Sequence, residues 1–364
     1  MIEKNVDVSI PIGPLHPALK EPLRIKLHTV GERVVDAEVE LGYMHRGIER
    51  ILKGKPWNKA VYLAERVCGI CSNIHCMTFI ETLEKISDVE PTPRAKYLRV
   101  IVNELDRIQS HLIANVSYFL GIEHETLAMY TLDVRENSMD LLEMVSGNRV
   151  HMSWNVLGGV RWDIEDHHLK TILEMLDRME PRIRRYMGMF EHGPLLQLRS
   201  RGIGVLSYED AVKVPAVGPV ARGSGHPESD WRLRHPTYRD IFDFKAISRK
   251  EGDNTARVLV RFDEIFQSMN LIRDAIDNLP KGNIQNKGRV KAGEGFHSGE
   301  APRGELKYFV KTDSAGKIDD ITIRTPTRLN LETCARYMLA GSPSIADAVA
   351  IYASIDPCIA CTEG

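Results

Sequence analysis

Two Cys-x-x-Cys pairs stand near opposite ends of the chain, Cys68-Gly69-Ile70-Cys71 and Cys358-Ile359-Ala360-Cys361, with residues 72–357 between them. If both pairs serve one site, the ends of the sequence must meet inside the fold. The site then forms only once the whole chain has folded. Four thiolates with this local spacing can close around a soft metal. The spacing leaves open a structural zinc, an iron–sulfur cluster, and a redox or bimetallic centre. Simple zinc ribbons keep their two pairs about 15–20 residues apart, which weighs against zinc.

The bulk properties narrow the setting. The 364 residues are 43% hydrophobic and 27% charged, enough for a substantial core in one large domain or two smaller ones. A formal net charge of −2 gives no reason to expect nucleic acid as a partner. Six cysteines over this length are too sparse for a disulfide scaffold. The start, Met1-Ile2-Glu3-Lys4, lacks the apolar stretch of a secretory signal. A reducing, cytoplasmic compartment is therefore expected, where thiols stay free for metal. No run approaches the roughly 18 apolar residues that span a bilayer. The nearest, 345–355, is short and contains Asp347. Membrane association is expected only through partner subunits.

The predicted class is α+β, mainly α. It is a long helix bundle with a small β-containing region built from the N- and C-terminal segments. Residues 9–17 read as a strand entering a loop, and alternation over 23–41 around Gly31-Glu32 predicts a β-hairpin. Residues 57–86 read as helix, break at the first Cys pair, helix. Thr92-Pro93 is a helix start, with apolar residues at helical spacing from Leu98 to Val116 and a stop near Gly121. Further long helices are predicted over 123–146, 165–191 with a kink at Pro181, and 254–279, which together suggest a bundle. Between the last two lies an irregular segment, 193–249, of the kind usually functional or covered by a partner. Its Arg-rich part, 199–239, and the Gly13–Pro17 loop are candidate docking surfaces. Loops are predicted after Gly282, then a hairpin of 305–311 with 318–324, then a helix over 343–355. The chain reads as one domain, 1–364: a β-rich part at 1–56, the bundle at 57–280, and a hairpin with the second Cys motif at 281–364.

The residues flanking the cysteines carry a resemblance. Glu65-Arg66-Val67-Cys68-Gly69-Ile70-Cys71 and Asp356-Pro357-Cys358 occur with Gly13-Pro14-Leu15-His16-Pro17, Glu21-Pro22 and the run from Gly42 to Glu49. Glu104-Leu105-Asp106-Arg107, Gly147-Asn148-Arg149, Arg222-Gly223-Ser224-Gly225 and Glu300-Ala301-Pro302-Arg303-Gly304 extend it over nearly the whole chain. This combination resembles the large, catalytic subunit of a NiFe hydrogenase of the membrane-bound, energy-converting group 4, related to the complex I 49 kDa subunit. Complex I relatives lack the four cysteines, so their retention here implies a working metal site.

The resemblance implies a NiFe centre whose iron carries CO and cyanide. Cys68, Cys71, Cys358 and Cys361 would hold nickel. Cys71 and Cys361 would bridge to iron, and Cys358 would be the terminal base. Arg303 would sit over the anionic ligands, where a fixed cationic fork suits cyanide, with Ala301, Pro326 and Thr327 beside them. Glu21 would be the first proton relay. Glu49 would support a hard cation such as Mg or Fe near the C-terminus, or a second proton step. On a helix His75 shares a face with Cys71 and would donate to a bridging thiolate. Asp356 would pair with Arg303 or orient the last Cys loop. Where the family carries His or Arg three residues past the last Cys, this chain has Gly364, which fits a processed or altered tail.

Each of these residues also has a plain structural reading: Arg303 on the surface, Pro326-Thr327 as a strand end, Glu49 as a solvated acid, His75 as a satisfied core histidine. Cys76 and Cys334 read as small buried apolar residues, and the glycines after Arg222 do not make a nucleotide site. The implied partners are an iron–sulfur small subunit, ferredoxin, and further electron-transfer and membrane-embedded ion-translocating subunits, at the cytoplasmic face of the cell membrane. The rival readings are a non-catalytic complex I-like connector with zinc or an empty cysteine site, and a quinone-reducing subunit.

Overall fold

The computed structural model describes residues 8–16 and 19–363. The first four residues, Pro17 of the Gly13–Pro17 motif, and Gly364 lie outside the described residues. Strands β1 (Val8–Ile12), β2 (Arg24–Val30) and β3 (Arg33–Glu40) form an antiparallel sheet in that order. Helices α1 (Ile48–Leu52), α2 (Trp57–Glu65) and α3 (Ser72–Ser87) follow. Next come the long α4 (Pro93–Gly121) and α5 (Glu125–Ser146), the short ladder β4 (Asn155–Val156) with β5 (Gly159–Val160), and α6 (Asp166–His192). Four short helices cross the segment after it: α7 (Pro194–Leu198), α8 (Tyr208–Lys213), α9 (Gly218–Arg222) and α10 (Pro236–Arg239). Helix α11 (Asn254–Asp277) precedes a second antiparallel sheet, β6 (Gly293–Ala301), β7 (Gly304–Thr312) and β8 (Ile318–Arg324). The last elements are α12 (Pro326–Thr333), a π-helical turn over Cys334–Leu339, α13 (Ile345–Ser354) and α14 (Ile359–Glu363).

Helix α4 starts where Thr92 caps it, its hydroxyl accepting from the Ala95 N–H at 3.1 Å, with Pro93 at the first position. It is buried almost all round from Leu98 to Val116, because α5, α11 and α13 pack on different faces. Leu105, Ile108, Leu112 and Phe119 meet Phe190 of α6 and Phe262 of α11 in the main core. A second apolar cluster gathers all four paired cysteines with Ile74, Met77, Leu306 and Tyr308. A third joins the N-terminal sheet to Leu331, Met338 and Ile351.

The N- and C-terminal segments thus contribute a sheet each. Strand β6 lies where loops were expected. Its run Gly293-Glu294-Gly295-Phe296-His297-Ser298-Gly299 has no strand alternation. The glycines let the strand lie flat on α3. A Cβ at Gly299 would stand 2.6 Å from the Thr78 hydroxyl, and one at Gly293 or Gly295 would stand 3.1 Å from Ile86. Helix α12 and the π-helical turn were also unforeseen. Pro326-Thr327 opens a helix rather than ending a strand.

The segment 193–249 is pinned from within by charge. Arg222 donates to Glu264 of α11 at 2.6 Å and to Glu300 of β6 at 2.8 Å, all three fully buried. His111 of α4 meets the other Glu264 oxygen at 2.8 Å. Arg232 pairs with Asp230 at 2.8 Å and reaches Glu104 at 3.3 Å; Arg107 shares Glu104 at 3.1 Å. Arg222 and Arg232 are therefore internal fastenings, whereas Arg201, Arg234 and Arg239 of the same segment stay exposed on its surface. Leu15 of the other candidate loop is 83% exposed.

Removing one member of such a lattice strands its partners in a dry interior. Glu264→Ala is expected to cost about 3–5 kcal/mol. Arg249→Ala, which breaks a half-buried pair with Asp263, should cost about 1 kcal/mol or less. Denaturant melts of both variants against the parent check the contrast.

Candidate metal centre

The first Cys pair lies in the break between α2 and α3. The second spans the entry into α14. The fold brings them together: Cys68 Sγ is 3.1 Å from Cys71 Sγ and 3.6 Å from Cys358 Sγ, and Cys358 Sγ is 3.2 Å from Cys361 Sγ. All four are buried and free of disulfides. Cys68 Sγ also accepts the N–H groups of Ile70 at 3.3 Å and Cys71 at 3.2 Å. These four sulfurs come from opposite ends of the sequence and form one cluster.

Arg46 clasps the two loops. Its guanidinium donates to the Arg66 and Val67 carbonyls of the first loop, each at 2.8 Å, and to the Ala360 carbonyl of the second at 2.7 Å. His75, one helical turn past Cys71, has Nε2 3.6 Å from Cys361 Sγ and Nδ1 2.8 Å from the Tyr308 hydroxyl. Burial pulls His75 down to about 4, so it stays a neutral ring. A Tyr308 hydroxyl donating to Nδ1 leaves the Nε2–H for sulfur.

Arg303 lies in the turn between β6 and β7 and is almost fully buried. It donates from Nε to the Asp356 carbonyl at 2.8 Å, from Nη2 to the Asp356 carboxylate at 2.9–3.0 Å, and from Nη1 to the Ser110 hydroxyl at 3.3 Å. Burial resists charge on Asp356, but Arg303, Lys20 (2.6 Å away) and Arg261 overcome it and hold the carboxyl down at about 2. The Asp356 backbone has φ +53°, an uncommon left-handed turn for a non-glycine residue. The turn bearing Arg303 rests on Gly218 of α9, whose φ is +64° and whose Cβ position is 2.2 Å from the Arg303 carbonyl. Asn330 of α12 bonds both the Arg303 and Val217 carbonyls.

Glu21 is half-buried. One of its carboxylate oxygens accepts the N–H of Ile359 and, at 3.1 Å, that of Ala360. Burial first, then the charge of Cys358, push Glu21 up to about 7. The Thr327 hydroxyl accepts the Cys358 N–H at 3.2 Å; Pro326 is buried at the first position of the same helix. Ala301 is buried at the end of β6, paired with Gly304.

Glu49 stands apart. It accepts the Ile323 N–H at 2.7 Å and lines a cavity of about 930 Å³ with Cys361, Glu363 and Arg328. Glu363 is held there by the N–H groups of Gly42 and Met44, both at 2.6 Å. Among the described residues, no cluster of three or more metal-ligating side chains includes Glu49. Cys76 and Cys334 are buried, and burial pushes both thiols up to about 12, as inert packing requires.

Several parts of the site went unassigned from sequence: Arg46, Lys20, Ser110, Tyr308 and Asn330. Arg46 sits inside the Gly42–Glu49 motif already singled out, so a signal existed without a role. The others are recognisable only by what they touch.

The cluster suits a soft cation. Hydrogen bonds from Cys361 and Cys68 draw Cys71 down to about 6, while the neighbouring sulfurs push Cys361 well up. Four close thiols cannot all ionise unaided, since each thiolate opposes the next. A metal at their centre removes that conflict. Arg303 beside them adds a fixed positive charge.

Comparison with known proteins agrees with this geometry. The family described as respiratory-chain NADH dehydrogenase, 49 Kd subunit, matches residues 122–289 and 283–363. The nickel-dependent hydrogenase family matches residues 46–119. The carbon monoxide-induced hydrogenase of Rhodospirillum rubrum is 38% identical over 98% of this chain and 99% of its own. The membrane-bound hydrogenase subunit alpha of Pyrococcus furiosus is 38% identical over 98% of this chain and 87% of its own. A chain in the structure of the membrane-bound sulfane sulfur reductase, an archaeal respiratory membrane complex, superposes with a TM-score of 0.91 at 27% identity, covering both chains fully. The chain belongs to the family of large subunits of membrane-bound, energy-converting NiFe hydrogenases, related to the 49 kDa subunit of complex I. An oxidoreductase role within a membrane-bound complex follows from that family. No described helix is long and apolar enough to cross a membrane.

The Gly218 contact supplies a test. Gly218→Ala must push the Arg303 turn away and adopt a left-handed backbone. The expected cost is at least about 1–2 kcal/mol, read as a lowered melting temperature. A parent-like melting curve would show that the turn is not held there.

Proposed function

We propose that this chain is the catalytic subunit of a membrane-associated NiFe hydrogenase that interconverts protons, electrons and dihydrogen. The observation that carries the reading is the convergence of Cys68, Cys71, Cys358 and Cys361 beside Arg303. The four sulfurs of Cys68, Cys71, Cys358 and Cys361 would hold a nickel–iron pair. When bound, that pair with its CO and cyanide ligands supplies the redox and Lewis-acid chemistry that splits dihydrogen.

The remaining work belongs to the chain's own side chains. Arg303 carries five N–H donors, so donors remain for an anionic ligand after its bonds to Asp356 and Ser110. Thr327 accepts from the Cys358 N–H and keeps its own hydroxyl proton for a second anion. Pro326 and Ala301 would keep water from that side. Cys358 Sγ would take the proton released on heterolysis and pass it to the Glu21 carboxyl, whose position near pH 7 suits both directions of transfer. His75, neutral and oriented by Tyr308, would donate to Cys361 and steady a bridging thiolate. Glu49, facing the cavity beside Cys361, would serve a later proton step or a hard cation such as Mg or Fe.

Electrons would pass through an iron–sulfur small subunit to or from ferredoxin. Membrane-embedded subunits would couple this to ion translocation at the cytoplasmic face. The chain would act as the single domain 1–364. A second reading is a non-catalytic connector whose cysteines hold zinc or nothing. The observation favouring it is the length of the 49 kDa match, which reaches over residues 122–363, against 46–119 for the hydrogenase pattern.

Elemental analysis with infrared spectroscopy of the purified complex separates the two. About one nickel and one catalytic iron per chain, with CO and cyanide bands, are expected; zinc alone at the cysteines would overturn the proposal. Glu21→Gln should keep the metals and the infrared bands yet lower dihydrogen turnover by about 10²-fold or more. Unchanged turnover in that variant would remove Glu21 from the proton path.

A further inference from the structure

A second cluster of ligating atoms lies further along α3. Glu81 of α3, His235 just before α10 and His297 of β6 come from three distant parts of the sequence. Their polar atoms nonetheless converge on one point. Glu81 Oε2 is 3.0 Å from His235 Nε2 and 3.3 Å from His297 Nε2, and the two ring nitrogens are 3.1 Å apart. The rings meet edge to face, with centroids 5.1 Å apart and planes at 87°. Glu81 and His235 are buried; His297 is partly exposed. Beside them opens a cavity of about 400 Å³, also lined by Glu84, Lys85 and Asp88.

Hydrogen bonding alone explains this triangle poorly. If both ring nitrogens carry protons and donate to the same oxygen, the two donors are crowded 3.1 Å apart. If only one carries a proton, the other ring's lone pair faces either the carboxylate or its neighbour without a hydrogen between. A small cation at the centre removes both conflicts, because all three lone pairs then point inward. The edge lengths fit this. A tetrahedral ion with bonds of about 2.0–2.1 Å places its ligands about 3.3 Å apart, and the observed edges are 3.0–3.3 Å. Arg99 lies 3.8 Å from the other Glu81 oxygen, on the side away from the rings, where it helps fix the carboxylate.

We propose that Glu81, His235 and His297 bind a divalent transition metal of the zinc type, with water from the adjoining cavity in the fourth position. Two imidazoles and one carboxylate are borderline donors that suit zinc. The cation clips together the helix that opens at Cys71, the segment between α10 and the buried Arg232, and the strand that leads to Arg303. Its donors contain no sulfur, so it is chemically distinct from the cysteine cluster. This inference does not depend on what the cysteines hold.

That distinction sets the test. The intact complex is titrated with Zn²⁺, washed, and examined by elemental analysis and zinc-edge X-ray absorption. The expected result is about one zinc per chain with only nitrogen and oxygen neighbours near 2.0–2.1 Å; any zinc held by the cysteines is told apart and counted separately by its sulfur neighbours near 2.3 Å. His297→Gln, at a partly exposed strand position, and Glu81→Gln should each weaken that zinc by at least about tenfold and leave the metal at the cysteines unchanged. Absence of nitrogen- and oxygen-bound zinc in the parent complex would overturn the proposal, and so would retention of that zinc in both variants. The parent measurement stands whether or not either variant folds.

Discussion

Burying four thiols within contacts of 3.1–3.6 Å sets each one against the ionisation of the next, a conflict that a soft cation at their centre would relieve. Each sulfur that ionises makes the next ionisation harder in so buried a setting. The surroundings answer with fixed positive charge and directed N–H groups. Arg303 lies beside the cluster, Arg46 gathers the carbonyls of both loops, and backbone amides point at Cys68. Much of the neighbouring architecture serves to hold these donors still. Asp356 anchors Arg303, Lys20 anchors Asp356, and Gly218 and Asn330 support the turn that presents the arginine.

The same logic extends beyond the cluster. Glu104, Arg107, Arg222, Arg232, Glu264 and Glu300 tie α4, α11, β6 and the short-helix segment into one buried ionic lattice. A helix bundle alone would leave that segment a long, weakly held excursion. The lattice makes it part of the wall that carries His235 and lies beside the β6–β7 turn. Directional charge pairing sets the placement of these elements where apolar packing would tolerate several.

The long helices were legible in the chain because their apolar spacing and caps are local. Thr92-Pro93 and Gly121 bracket α4 as the sequence implied. The meeting of the two Cys pairs was legible as a requirement, since four ligands of one kind occur in two matched motifs. Strand β6 was not, because its glycines answer to the surface of α3 rather than to strand alternation. Arg46 was visible within a motif but its task was not, since the three carbonyls it binds lie in two loops distant in sequence. The Glu81–His235–His297 cluster left no sequence trace, because each member comes from a different element.

The interior holds guanidinium groups in unusual number: Arg99, Arg107, Arg222, Arg232, Arg257 and Arg261 all rank among its largest fully buried side chains. Water binds such ions with a large loss of entropy, so its claim on them weakens as temperature rises. The penalty for stripping these groups of solvent therefore shrinks on heating, while the carboxylate partners of Arg99, Arg107, Arg222 and Arg232 remain at hand. An ionic interior of this kind is held more favourably in the warm, as a by-product of how the chain positions its walls, and it gives up part of that advantage in the cold.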